Sequence, residues 1–200
     1  MKRHLAARLL CLLFCLALCS GLAVRAVDRP AAFTPSAAYD GRFLDVKETD
    51  WFYPNVATLF SLGLTQGKTA DLFGVYDNIS VKEVIGFAAR VRSLYFYGDA
   101  EMGAMYYVPE ELDEELWYLP YVLYLKSDGV LDNSLDDRMD QAASRSQTAH
   151  LAARALPAEL FLPINDAVVS VGYATHAFIP DVDEYTPYQR DILQLYKWGV

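Results

Sequence analysis

The sequence predicts an all-α fold of helix–loop–helix repeats, and three observations predict it. A segment recurs without gaps at residues 51–63, 117–129 and 187–199, ending each time in glycine. Two capping boxes of the form Ser-x-x-Glu/Gln each open an apolar stripe of helical period. Prolines and glycines stand where helices begin and end.

The first element is an export leader at residues 1–26. Lys2, Arg3 and Arg8 give a basic start, and an uncharged apolar run follows from Leu9 to Leu18. That run is half of the roughly 20 residues that span a bilayer as a helix. A basic start, a short apolar core and small residues describe a secretory signal peptide. Val24 and Ala26 place cleavage after Ala26. An uncleaved anchor and a lipoprotein signal at Cys19 are the alternatives; Leu18 is too large for the residue before a modified cysteine. Cys11, Cys15 and Cys19 all lie in the leader, so the processed chain has no thiol for a disulfide, a metal or a nucleophile. Processing removes four basic residues and no acid, taking the net charge from −9 to −13. An acidic surface argues against nucleic acid and anionic membranes as partners, and leaves room for calcium or a basic partner.

A linker at 27–42 leads into a first unit at 43–97. Its opening helix is amphipathic through Val56, Leu59, Phe60 and Leu62, with Pro54 in the first turn and Gly63 at the end. Ser80 and Glu83 cap a second helix whose stripe is Val84, Ile85, Ala88, Val91, Leu94 and Tyr95. Such a cap is worth about 1 kcal/mol. A linker at 98–110 precedes a second unit at 111–156, in which Pro120, Gly129, Ser144 and Gln147 take the same roles. Ala149, Ala152, Ala155 and Leu156 form its weaker stripe, bounded by Pro157. A third linker, 157–178, precedes a partial unit at 179–200 that holds the opening helix and Gly199. Val56, Val122 and Ile192 are equivalent, as are Leu59, Leu125 and Leu195. If the chain stops at Val200, then Leu193, Tyr196 and Trp198 should be partly exposed or covered by a partner chain.

Phe43-x-Asp45-Val46, Trp51, Gly63-Leu64, Gly67, Phe73 and Ser80-x-x-Glu83 resemble a surface-layer homology (SLH) repeat. The second unit is similar through Trp117, Gly129-Val130 and Ser144-Arg145-x-Gln147. The third resembles only the opening half, from Ile179-Pro180-Asp181-Val182 to Gly199-Val200. The resemblance implies a pseudo-threefold spindle with the glycine-ended helices bundled at its centre and the capped helices as prongs. It also implies an exported, non-enzymatic module. Such a module attaches non-covalently to a pyruvylated secondary polysaccharide of the bacterial cell wall. The family's key sequence, Thr-Arg-Ala-Glu, opens the second helix. A capped helix start directs N–H groups and the positive dipole end outward, and an arginine there adds a planar fork for a carboxylate. Here Arg145 keeps that arginine, whereas the first unit has Val81 with Lys82 beside it. The residues expected at a glycan site are therefore Arg145, Ser144, Gln147, Lys82, Trp51 and Trp117. The two serines and their partners also read as caps alone, and the two tryptophans as packing. A divergent scaffold that binds envelope proteins without glycan is the competing function.

Other motifs carry less. Gly63-Leu64-Thr65-Gln66-Gly67-Lys68-Thr69 has three residues between its glycines where a phosphate loop needs four, and a helix precedes it. The acidic run at 110–115 lacks the alternating donors and turn glycine of a calcium loop. His150 and His176 stand in no nucleophile or metal-ligand pattern, and His150 reads as structural. No catalytic residue, metal or cofactor is expected.

Overall fold

Each glycine-ended helix starts at a fixed backbone turn and stops where a left-handed residue breaks its hydrogen-bond ladder. The computed structural model describes residues 33–165, 179 and 181–200. The expected leader at 1–26, His176 and Pro180 lie outside the described residues. Six helices follow in order: α1 Tyr53–Ser61, α2 Val81–Tyr97, α3 Met102–Met105, α4 Leu119–Ser127, α5 Arg145–Ala155 and α6 Gln189–Lys197. The described residues contain no strand, only an isolated antiparallel bridge between Ser80 and Ala142. No described helix is long and apolar enough to cross a membrane. Pro54 and Pro120 occupy the first turns of α1 and α4. Gly63, Gly129 and Gly199 have φ of 72°, 67° and 83°, as the repeat requires. The linker at 98–110 is partly helical, because α3 lies within it and buries Gly103 and Ala104.

The centre of the molecule differs from the spindle that the resemblance implies. Among the described residues, extensive packing joins α2 to α3, α4 and α5, α3 to α4, and α5 to α6. The glycine-ended helices α1, α4 and α6 do not pack extensively on one another; the capped helices α2 and α5 take the middle. Side-chain size explains the exchange. α2 presents Val81, Val84, Ile85, Ala88 and Ala89, all buried, and its small residues let α4 and α5 approach closely. Val122 and Leu125 of α4 and Leu151 and Ala155 of α5 complete this core. Gly103 is required there, since a Cβ would lie 2.5 Å from the buried Tyr124 ring. Arg90 of α2 joins the parts electrostatically. Its guanidinium donates to Glu101 at 2.7 Å and to the Tyr121 hydroxyl at 2.7 Å, and that hydroxyl donates to Glu101. Burial and the Glu101 carboxylate push the Tyr121 phenol up to about 12.

α1 belongs to a separate cluster. Phe43, Val46 and Val56 are buried together, with Tyr39, Phe52, Tyr53, Phe60 and Phe73 around them. The Asp45 carboxylate closes this cluster by accepting N–H bonds from Phe73 at 2.8 Å, Gly74 at 2.7 Å and Val75 at 3.2 Å. Gly67 lies against the Phe43 ring at φ 82°, where a Cβ would come within 2.4 Å of Cε1. The N–H groups of Lys68 and Thr69 both turn to the Leu72 carbonyl, so this loop has the form of a closed turn rather than an anion cradle.

At the other end, Trp198 is buried by its own chain, whereas a chain stopping at Val200 was expected to leave it partly exposed or covered by a partner chain. Phe161 stacks on it at 4.2 Å, and the Lys197 carbonyl accepts N–H bonds from Ile164 and Asn165. The chain after α5 thus folds back over α6. Leu193 is half-buried and Tyr196 lies at the surface. The equivalent positions are not equivalent in burial: Val56, Val122 and Leu125 are buried, whereas Leu59, Ile192 and Leu195 are only partly covered.

Candidate functional site

The start of α5 is built by its cap. The Ser144 hydroxyl accepts the Gln147 N–H at 3.2 Å, and the Gln147 side chain accepts the Ser144 N–H at 2.8 Å. The intervening N–H groups, of Arg145 and Ser146, have no partner among the described residues. A groove of about 220 Å³ adjoins this turn, lined by Ser144, Ser146 and Gln147, by Ser134, Leu135 and Arg138, and by Pro187 and Tyr188. Ser134 and Leu135 come from a short 3₁₀ turn, Asn133–Leu135, that Asp132 caps.

Tyr188 forms one wall and is held from behind. It has φ 60°, a left-handed conformation that bulky residues rarely adopt. Its ring stacks on His150 at 4.1 Å and 23°, and His150 Nδ1 lies 2.7 Å from the Asp191 carboxylate. His150 is buried on α5, which agrees with a structural role. The Tyr188 hydroxyl reaches the Ser134 hydroxyl at 3.4 Å. These contacts fix a planar aromatic ring in the groove that Ser146 also lines.

Two arginines stand near. Arg138 is half-exposed and has a loose 3.6 Å contact with Asp137. The Arg145 side chain is 96% exposed and lies 3.6 Å from Asp181. The N–H pair, the α5 dipole and an arginine fork together suit a carboxylate, while the tyrosine suits the apolar face of a sugar.

The start of α2 is closed by contrast. Val81 donates its N–H to the Gln141 carbonyl at 2.9 Å and Lys82 to the Met139 carbonyl at 3.0 Å. The Lys82 ammonium is bound to Asp140 at 2.5 Å, lies 5.5 Å from the Tyr118 ring centre, and is held above the ordinary lysine range by that carboxylate. Of the residues expected at a glycan site, the structure therefore brings Ser144 and Gln147 into one groove, with Arg145 on the same turn. Lys82 and Trp117 lie at the other capped helix, where the Trp117 ring packs against Gly86 at 3.3 Å from its would-be Cβ. Trp51 is 84% exposed and lines neither place. Arg138, Ser134, Ser146 and Tyr188 were not anticipated. One signal for Tyr188 was present: it aligns with Phe52 and Tyr118, so an aromatic recurs at the second position of every segment.

The cap itself has a measurable weight. Ser144→Ala is expected to lower stability by about 1 kcal/mol in urea denaturation, since one first-turn N–H loses its acceptor. An unchanged midpoint would mean that water replaces the serine fully.

The model of the S-layer homology domain matches residues 42–80. No curated protein and no solved structure matches the chain. The matched stretch begins at Arg42, includes the Asp45 clasp and α1, and ends on the cap Ser80. The groove at α5 lies beyond it. Domains of this family are non-enzymatic modules that attach proteins to cell-wall polysaccharide at the cell surface.

Proposed function

We propose that this chain is an exported anchoring module. It holds an acidic, pyruvylated secondary cell-wall polysaccharide non-covalently in the groove at the start of α5. The observation that carries this reading is the pair of N–H groups at Arg145 and Ser146, unpartnered among the described residues, in a turn whose Ser144, Ser146 and Gln147 line one groove with Arg138 and Tyr188. In this reading a pyruvyl carboxylate sits on the N–H pair, Arg138 supplies the fork, and Arg145 adds charge at the rim. Ser144, Gln147 and Ser146 shape the floor, and Tyr188 stacks on the sugar. Lys82 and Trp117 serve packing at the closed start of α2, and Trp51 remains a candidate contact for a longer glycan.

The organisation supports the same reading. Two full units, 43–97 and 111–156, are followed by a partial one at 179–200. A capped helix packs on the glycine-ended helix that follows it: α2 on α4, and α5 on α6. A repeated step of this kind fits an SLH-like assembly in which the capped helices are central.

The test is co-sedimentation of the processed protein with purified envelope polysaccharide. Arg138→Ala is expected to weaken binding about ten-fold, the loss of one charge-assisted pair. Arg145→Ala should weaken it less, because that side chain is exposed and faces Asp181. Chemical removal of pyruvate should abolish binding to wild type. Equal binding by wild type and both variants would overturn the assignment of the groove, and absence of binding by all three would overturn attachment through this polymer.

A further inference from the structure

Between Arg92 and Lys126 the chain carries no lysine, arginine or histidine, yet it has seven acids: Asp99, Glu101, Glu110, Glu111, Asp113, Glu114 and Glu115. Glu101 is neutralised by Arg90. Glu110, Glu111, Glu114 and Glu115 are exposed and form no ion pair with a described residue. The cations that flank the stretch are already used, since Arg92 holds Asp128 at 2.7 Å and Lys126 holds Asp136 at 2.7 Å.

The same stretch exposes large apolar side chains. Met105 is 60% and Tyr106 72% exposed, and Tyr97 and Val108 are about half exposed. The Tyr97 and Tyr106 rings are 6.5 Å apart, so the end of α2 and the end of α3 share one face. This face is held rigid from below. Tyr107 stacks on Tyr124 of α4, and its hydroxyl bonds the Ser127 hydroxyl at 2.6 Å. Aromatic and methionine side chains are enriched at protein–protein interfaces relative to other surface.

We infer that this face, made by Tyr97, Met105, Tyr106 and Val108 and followed directly in the chain by the 110–115 acids, docks a basic, apolar-faced segment of a partner protein. Charge selects the occupant. An acidic glycan or an anionic membrane would meet uncompensated carboxylates here, whereas lysine and arginine side chains gain both the acids and the tyrosine faces. The face lies apart from the α5 groove, and its lining residues are not those of the groove. The inference therefore goes beyond wall attachment and does not depend on it.

Binding is measured on the full chain by fluorescence anisotropy. One probe is a labelled synthetic peptide with arginines on one helical face and leucines on the other. The second is an oligolysine of equal charge. Met105→Ser combined with Tyr106→Ser should weaken the amphipathic peptide about ten-fold and the oligolysine much less, since the oligolysine loses one ring face and no apolar contact. Glu110→Gln, Glu111→Gln, Glu114→Gln and Glu115→Gln together should weaken both probes and flatten their salt dependence. All these side chains are at the surface, so circular dichroism and polysaccharide binding should stay at wild-type values. The inference is overturned if neither variant changes peptide affinity, or if the Met105 and Tyr106 changes abolish polysaccharide binding instead.

Discussion

Asp45→Ala is expected to lower stability by about 3 kcal/mol, with the loss concentrated at residues 39–75. The carboxylate accepts three backbone N–H bonds from one turn, and nothing else described receives them. Each buried donor left unpaired costs about 1–3 kcal/mol, and water reaching this half-buried site recovers part of the sum. The effect also has a pH signature. Burial alone would raise the Asp45 carboxyl, but the three donors outweigh it and hold the group below the ordinary carboxylate range. A folded value below the unfolded one means that the charged form contributes stability. That contribution is complete above the unfolded value, about pH 4, and fades as the pH falls through the folded value. Urea denaturation of wild type and variant should therefore diverge at neutral pH and converge in acid. A gap of equal size at both pH values would show that the clasp works through shape rather than charge.

Leu125→Ala should cost slightly more, about 3–4 kcal/mol, by emptying a site that is wholly enclosed between α2 and α4. The comparison with its sequence equivalents makes the prediction sharp. Leu59→Ala and Leu195→Ala remove the same atoms from half-covered positions, and each should cost about 1 kcal/mol. Chemical denaturation of the three variants measures the difference. Equal losses would mean that the three helices occupy equivalent environments after all.

That contrast also shows what a sequence discloses. The caps at Ser80 and Ser144, the prolines at 54 and 120 and the left-handed glycines are made by atoms within four residues of one another, so local pattern was enough. Which helix faces which is decided by shape over long distances. Val56, Val122 and Ile192 obey one pattern, yet α4 docks on α2, α6 docks on α5, and α1 gathers aromatic residues of its own. The smallness of Ala88 and Ala89, visible in the sequence, was the available clue that α2 is central. The groove was half legible. Ser144 and Gln147 followed from the cap and Arg145, on the same turn, from the resemblance, but Arg138 and Tyr188 are brought to the groove by tertiary folding, and Tyr188 takes a backbone conformation that no tyrosine advertises. Trp51 and Trp117 matched in sequence and separated in space, because only Trp117 has a glycine of a capped helix to lie against.

The carbonyls of Met139 and Gln141 spend the first N–H groups of α2 inside the molecule, and the consequence is one of valence. Two capped helices are present, but only α5 leaves its first turn unspent among the described residues. Under the proposed function, the described residues grip the polymer through one such turn and supply no second grip of the same kind. Residence time then depends on how many copies lie side by side along the same strand, because neighbouring copies multiply the effective concentration of sites without adding a contact to any of them.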